Sequence, residues 1–307
     1  MGRSNLDLGA LSKVEMPSVQ QFMKKWYRPS RVVVGGLGLD HDRLVEQCHR
    51  LFAHLEKDEE VVNPNSDLTT PYYTAPPSSP YKGGSLSVPD DRESKIGTEL
   101  PGNFLCFSAA FVGFDAPSLF SGREYYVASI LASLLGSGSS FSSGGPGKGM
   151  FTRVYREILS QGFVQSGQQV YAAHYDGGIF GLLLTGDSRY LARLQEAAVW
   201  GLLRLQDITD EEFDRAKNQL MSAVCTNLEG THPSLDDLLR QVSYYNMRYD
   251  YDYHVEVIRS VTKDETLALV HKMLQSPPSV ITYGHPTANT VSYEVIQHYI
   301  GKKTLKR

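Results

Sequence analysis

The densest run of chemically unusual residues lies at 136–149, GSGSSFSSGGPGKG, with six glycines and five serines in fourteen residues. Three chemistries fit such a run. The first is phosphate binding, in which glycines let backbone N–H groups close on an anion. That requires G-x-x-x-x-G-K-[ST]. Here Gly147 and Lys148 are followed by Gly149, where a hydroxyl would hold magnesium, and Ser142 stands where the first glycine is needed. The run also follows a predicted helix rather than a strand. The second reading is a plain flexible connection between helices. The third is a binding loop or lid, because long stretches without regular structure are often functional. Phe141, Lys148 and Met150 supply that loop with side chains for contact.

No other cluster offers a reaction. The nine histidines form neither H-E-x-x-H nor H-x-x-E-H. His49 and His54 diverge on a predicted helix, and His174 sits in a predicted strand, so no metal ligand is assigned. No catalytic residue is assigned either. Gly136-Ser137-Gly138 follows a helix and so lacks the strand-to-helix turn of a nucleophile elbow. Acidic groups occur at Asp58-Glu59-Glu60, at Asp207 with Asp210-Glu211-Glu212, at Asp236-Asp237, and at Asp250 with Asp252. They read as solvated surface or as charge at helix N-termini, with attraction of a basic peptide as the functional alternative. Cys48, Cys106 and Cys225 include no C-x-x-C pair, which excludes a zinc knuckle and a thioredoxin-like site.

Composition narrows the class further. Thirty Lys and Arg against 34 Asp and Glu leave a net charge of −4, which excludes a general nucleic-acid binder. With 41% hydrophobic and 21% charged residues, the 307-residue chain can bury a large core, and its length suggests about two domains. No apolar stretch reaches about 18 residues, so no membrane span is expected. Residues 1–10 lack the apolar core of a secretory signal.

The elements that must position the loop are legible from periodicity. A helix is predicted at 17–27, a buried strand at 31–37 (RVVVGGL), and a helix capped by Asp40 with Leu44, Val45, Cys48, Leu51, Phe52 and Leu55 along one stripe. Periodicity then stops across a Pro-rich segment ending at Pro80, which reads as an extended linker. Strands follow at 83–88 and 104–114. Ser121 and Glu124 predict a capping box for the next helix, and a helix is predicted from Phe151 to Gly162. Strands at 168–175 and 179–185 flank the turn signal Asp176-Gly177-Gly178. Helices follow at 189–206, from a Thr209/Glu212 box, from near Ser234, and from a Thr262/Glu265 box. A strand at 280–283 and a helix at 293–300 close the chain. Hairpin strands with helices in consecutive runs argue α+β. Residues 1–60 supply one strand with no partner, and so read as the end of a larger domain.

The string LLGSGSSFSSGGPGKGMFTRVY at 134–155 resembles the glycine-rich loop of the alpha-subunit family of mitochondrial processing peptidases. YKGGSLSVPD at 81–90, FVGF at 111–114, DGGIFGLLL at 176–184, RAKNQLMSAVCTNLE at 215–229, and Tyr27-Arg28-Pro29 before RVVVGGLGLDHDRLV agree with it. The resemblance implies the pitrilysin/insulinase fold: a C-terminal remainder of a first peptidase-like domain at 1–60, a linker at 61–80, and a second peptidase-like domain at 81–307. It implies an α+β second domain with a mostly antiparallel sheet and covering helices. Because the family's first domain is longer, it also implies an N-terminally truncated chain.

By the same resemblance the chain is a non-catalytic subunit of a mitochondrial-matrix heterodimer. It would bind basic amphipathic presequence peptides while a beta subunit, carrying the zinc and H-x-x-E-H, cleaves them. No cofactor is then expected in this chain. Gly136, Gly138, Gly144, Gly145, Gly147, Lys148, Gly149 and Met150 fall on the family's loop, and Phe141 joins them as a substrate contact. Ser137 and Ser139 stand where glycines are usual. The rival reading is a structural core subunit of the respiratory cytochrome bc complex, which shares the fold. The intact GGPGKGM favours the peptidase subunit.

Overall fold

Alternating burial builds the central sheet. In β2 (Phe107–Ala116), Ser108, Ala110, Val112, Phe114 and Ala116 are buried, and the side chains between them, Ala109, Phe111 and Asp115, are less so. In β5 (Gly178–Asp187), Phe180, Leu182 and Leu184 are fully buried, and in β6 (Ser279–Gly284) Val280 and Thr282 are buried. The register aligns these sets, with Val112 opposite Leu182 on one side and Val280 on the other. A period of two thus puts one face of three neighbouring strands into the core.

The computed structural model describes residues 8–28, 32–53, 80–89, 107–139, 151–284 and 289–304. The chain divides into two compact units, residues 75–222 with 254–307, and residues 1–74 with 223–253. The larger unit holds a six-stranded sheet in the order β1-β6-β2-β5-β4-β3, with β1 (Gly84–Pro89), β3 (Ser137–Ser139) and β4 (Val164–Ala173) completing it. Only the β1–β6 pair is parallel; the other pairs are antiparallel. The chain turns from β4 into β5 where His174 N–H donates to Gly177 O at 2.8 Å, the predicted hairpin.

Helices cover one face of this sheet. α4 (Arg123–Leu135) packs on β4, α5 (Leu191–Leu203) on β2 and β5, and α9 (Lys263–Gln275) on β2, while α10 (Tyr293–Thr304) packs on α5 and α9. α4 is apolar on most sides because seven of its thirteen residues are buried. The opposite sheet face carries a row of Ile281, Phe111 and Leu183, in which Ile281 is exposed. The α+β class with a mostly antiparallel sheet and covering helices is therefore the architecture observed. α6 (Asp210–Glu229) up to Ser222 and α8 (Tyr251–Ser260) from His254 complete the larger unit.

The smaller unit contains α1 (Leu8–Leu11), α2 (Met16–Trp26), α3 (His41–Phe52), α7 (Thr231–Tyr245) and the segments of α6 and α8 beyond those limits. Asp40 caps α3 as predicted, accepting from Arg43 N–H at 2.9 Å. Neither α2 nor α3 has a buried residue. Phe22, Met23 and Trp26 of α2 are 57%, 49% and 40% exposed.

Three local expectations are corrected, and one helix is added. The predicted buried strand at 31–37 pairs with no strand among the described residues, and Val32, Val33 and Val34 are exposed. Among the described residues the smaller unit offers its β-branched run no ladder; Gly35 instead lies against Leu239 of α7. The Ser121/Glu124 box does not form. The N-cap is Gly122, so Glu124 falls at the second helical position, one short of the place a box needs. The Ser121 hydroxyl serves Ser118 instead, accepting from its N–H at 2.9 Å. The helix predicted at 151–162 is only a π-helical turn, Val154–Ile158. Last, α8 went unpredicted; Asn246, at φ 53°, ends α7 before it.

Candidate functional site: the neck of the glycine-rich loop

The loop begins where α4 stops. Gly136 donates its N–H to Ala132 O at 2.9 Å and adopts φ 67°, ψ −164°, a region essentially confined to glycine. The chain then runs directly into β3, whose Ser137, Gly138 and Ser139 pair with Gln168, Gly167 and Ser166 of β4. Gln169 N–H donates to Gly136 O at 3.2 Å and extends this seam. Gly138 lies over the π-turn, where a Cβ would come within 2.8 Å of Leu159 Cδ1.

The loop returns at Phe151 and Thr152. A Cβ on Gly136 would overlap the Thr152 side chain, so the departing and returning strands of the loop touch. Thr152 is buried, while Phe151 stands 59% exposed beneath the guanidinium of Arg215, 5.6 Å from its ring. A crevice of about 10 Å³ between Leu134, Phe151, Thr152, Glu212, Arg215, Ala216 and Gln219 has room for little more than one water.

The returning end is fastened by a buried cation. The Arg153 side chain is 4% exposed, and Nη2 pairs with Glu212 Oε2 at 2.7 Å. Nε donates to Glu212 Oε1 at 3.2 Å, Nη2 donates to Asp207 O at 2.6 Å, and Nη1 donates to Arg204 O. Every arm of the guanidinium is thus satisfied, as a buried charge requires. Glu212 also takes the N–H and hydroxyl of Thr209, each at 3.2 Å, in the predicted capping box. Burial pushes the Glu212 carboxyl up, but the Arg153 and Thr209 hydrogen bonds outweigh it and hold the group at about 2.

The π-turn fits this fastening. Leu159 N–H reaches back five residues to Val154 O at 2.9 Å, while Val154 and Ile158 remain buried. Such bulges absorb one extra residue in a helical turn. Together these contacts make a closed neck: β3 and β4 hold one end, and Arg153 and Glu212 hold the other. The neck offers backbone groups and an exposed aromatic, with no nucleophile–base pair. Among the described residues no group of three or more His, Cys, Asp or Glu is placed to hold a metal ion.

Of the residues singled out from sequence, Gly136 and Gly138 are at the neck. Phe141, Gly144, Gly145, Gly147, Lys148, Gly149 and Met150 lie outside the described residues. Thr152, Arg153 and Arg215 were missed. One signal existed: Glu212 was visible as half of a capping box, and its second carboxylate oxygen was free to take a distant cation.

The fold and the neck can be set beside known proteins. A family model described as "Peptidase M16 inactive domain" matches residues 13–220, more than half the chain. The chain belongs to the peptidase M16 inactive-domain family. Within M16, it is 28% identical over 278 residues to the mitochondrial-processing peptidase subunit alpha of Caenorhabditis elegans, covering 90% of this chain and 53% of that one. It is 31% identical over 238 residues to a probable subunit alpha from Schizosaccharomyces pombe, covering 76% and 43%. The human subunit alpha is 25% identical over 300 residues, covering 95% and 54%. The chain thus spans about half the length of the curated relatives it matches. Among solved structures, a chain of "Complex III2 from Candida albicans, Inz-5 bound" superposes with a TM-score of 0.73 at 17% identity, over 95% of this M16 chain and 64% of that one. The resemblance to processing-peptidase alpha subunits therefore extends along nearly the whole sequence, and the fold of the Complex III2 chain is shared along nearly the whole structure.

Proposed function

We propose that this chain acts as the non-catalytic alpha subunit of a mitochondrial processing peptidase in the matrix. In this reading it holds basic amphipathic presequences for a beta subunit that carries zinc and cleaves them. The observation that supports it most is the neck. Gly136 meets Thr152, and Arg153 bonds to Glu212, so a glycine-rich segment is anchored at both ends on the sheet and helices. A segment held in this way presents backbone donors and acceptors to an extended or helical peptide without a fixed side-chain code. Glycine accepts conformations that other residues do not, which suits varied presequences. Exposed Phe151 offers an apolar contact beside the loop, and the net charge of −4 favours a basic ligand. Lys148 is assigned a positioning role toward a carboxylate or peptide carbonyl, since like charge would repel the presequence.

The test is titration of a fluorescently labelled presequence peptide against the chain reconstituted with a beta subunit. Replacing Gly144, Gly145, Gly147 and Gly149 by alanine is expected to weaken binding at least tenfold with the melting temperature unchanged. Equal affinities would reduce the loop to a connection. A second reading, a structural subunit of a respiratory complex, rests on the fold shared with the Complex III2 chain. It predicts no loop-dependent peptide binding, so the same titration separates the two.

A further inference from the structure

A second concave surface lies on α5, and nothing in the presequence reading uses it. It is a cleft of about 350 Å³ lined by Gln161, Phe163, Arg193, Glu196, Ala197 and Trp200. That volume falls in the range of sites that take a few side chains or a small ligand. Its walls are two aromatic rings, and Trp200 is 38% exposed. Arg193 stands at one end with its guanidinium 6.0 Å from the Phe163 ring and 5.9 Å from the Tyr190 ring. Arg193 and Trp200 are two turns apart on α5, about 10 Å along the axis.

The charges decide what this cleft accepts. Arg204, which lies over Trp200 at 5.8 Å, is already met by Asp207 at 3.3 Å and Glu157 at 3.7 Å. Arg193 has no carboxylate within 4.0 Å and no hydrogen-bond acceptor among the described residues. Glu196, three residues on and correctly spaced to pair with it, does not: the arginine is turned onto the rings instead. The guanidinium lies near both rings and meets no acceptor among the described residues, so its donors are available to a carboxylate, which arginine can take bidentately. Glu196 beside it disfavours a ligand with several negative charges.

We propose that this cleft docks an internal segment of a partner polypeptide carrying a single acidic side chain beside apolar or aromatic side chains. The carboxylate meets Arg193, and the apolar side chains lie between Phe163 and Trp200. The occupant is thus the charge opposite of a presequence.

Trp200 reports on its own site. The sequence has two tryptophans, Trp26 and Trp200, so the full chain carrying Trp26→Phe has its one indole in the cleft. The probes are acetyl-Phe-Glu-Leu-Phe-amide and its Gln counterpart, followed by Trp200 emission. The acidic peptide is expected to shift the emission and bind at least fivefold tighter than the Gln peptide. Arg193→Gln should erase that preference, and Glu196→Gln should preserve or raise it. Equal binding of the two peptides, or a preference that survives Arg193→Gln, overturns the proposal. So does an emission shift with protein concentration alone, which would mark a second copy as the occupant, or equally tight binding of N-acetylphenylalanine, which would mark a small acid. None of these outcomes depends on presequence binding.

Discussion

Gly136 is the residue on which the loop's exit turns. Its backbone lies at φ 67° and ψ −164°, and its Cα faces the Thr152 side chain without a gap for a methyl group. Gly136→Ala should cost about 1–3 kcal/mol from conformation alone, and more from the overlap. Adding Thr152→Gly should recover the overlap part, so a thermal-melt double-mutant cycle should show favourable coupling. Strictly additive losses would mean that the two ends do not touch. Arg153 gives a second test. Arg153→Ala strands the Glu212 carboxylate and should cost roughly 3–5 kcal/mol. Because Glu212 is held at about 2 against an ordinary 4.5, its contribution is fully present above pH 4.5 and is lost as pH falls toward 2. Glu265, held at about 2 by its hydrogen bond from Arg123, titrates in the same window. That pair is exposed, 43% and 39%, so salt screens it. Acid unfolding at high salt should therefore suppress the Glu265 part, leaving Glu212 together with Asp187, which the hydrogen bond from Arg189 also holds low, and Glu212→Gln should flatten part of the stability loss between pH 4.5 and 2.

At the scale of elements, local grammar succeeded where it was complete. Thr262 accepts from Glu265 N–H at 3.3 Å while Glu265 Oε2 accepts Thr262 N–H at 2.7 Å, so the box at α9 was readable from two residues. Thr262→Ala should cost about 1 kcal/mol, measured by urea denaturation. The Thr209/Glu212 box was equally legible, but its use as an anchor was not, since Arg153 lies 59 residues away in sequence. The same limit explains the failures. Ser121 and Glu124 carry the right letters, yet helix entry is set at Gly122, with Arg123 drawn onto Glu265 and Ser260. The stripe of Val154, Ile158 and Leu159 reads as an α-helix, because nothing local records that Arg153 must reach Arg204 and Asp207. The valines at 32–34 read as a strand because β propensity is blind to whether a neighbour exists. α8 was missed because its tyrosines and acidic residues dilute its apolar stripe; only Val255 and Ile258 are buried.

Over the whole molecule, burial is uneven. Fully buried side chains such as Phe114, Phe180, Leu182, Leu184, Leu194 and Ile258 belong to the larger unit, whereas α2 and α3 bury none. Hydrogen exchange should reflect this: amides of β2 and β5 are expected to exchange slowest, and those of α2 and α3 within the fastest group. Equal protection of α2 and β5 would contradict it. The grouping of 223–253 with the N-terminal residues could not be read from sequence, because the apolar stripe of α6 runs from Phe213 through Leu228 without marking a boundary at 222. What was legible was the sheet: the alternation in β2 and the turn between β4 and β5 are local, and they specify most of its antiparallel order.

The position of β6 between β1 and β2 has a consequence in time. The Thr282 hydroxyl donates to Ser87 across 195 residues of chain. On a ribosome adding about 5–20 residues per second, β1 waits roughly 10–40 s for the strand that links it to the sheet. Over roughly the second half of that interval, once β5 is made, β2 has β5 on one side and a bare edge on the other, with Phe111 and Val112 along it. The sheet is therefore completed by a late insertion, and a nascent chain halted before residue 279 would carry an open, apolar strand edge for chaperones to cover or for neighbouring chains to join.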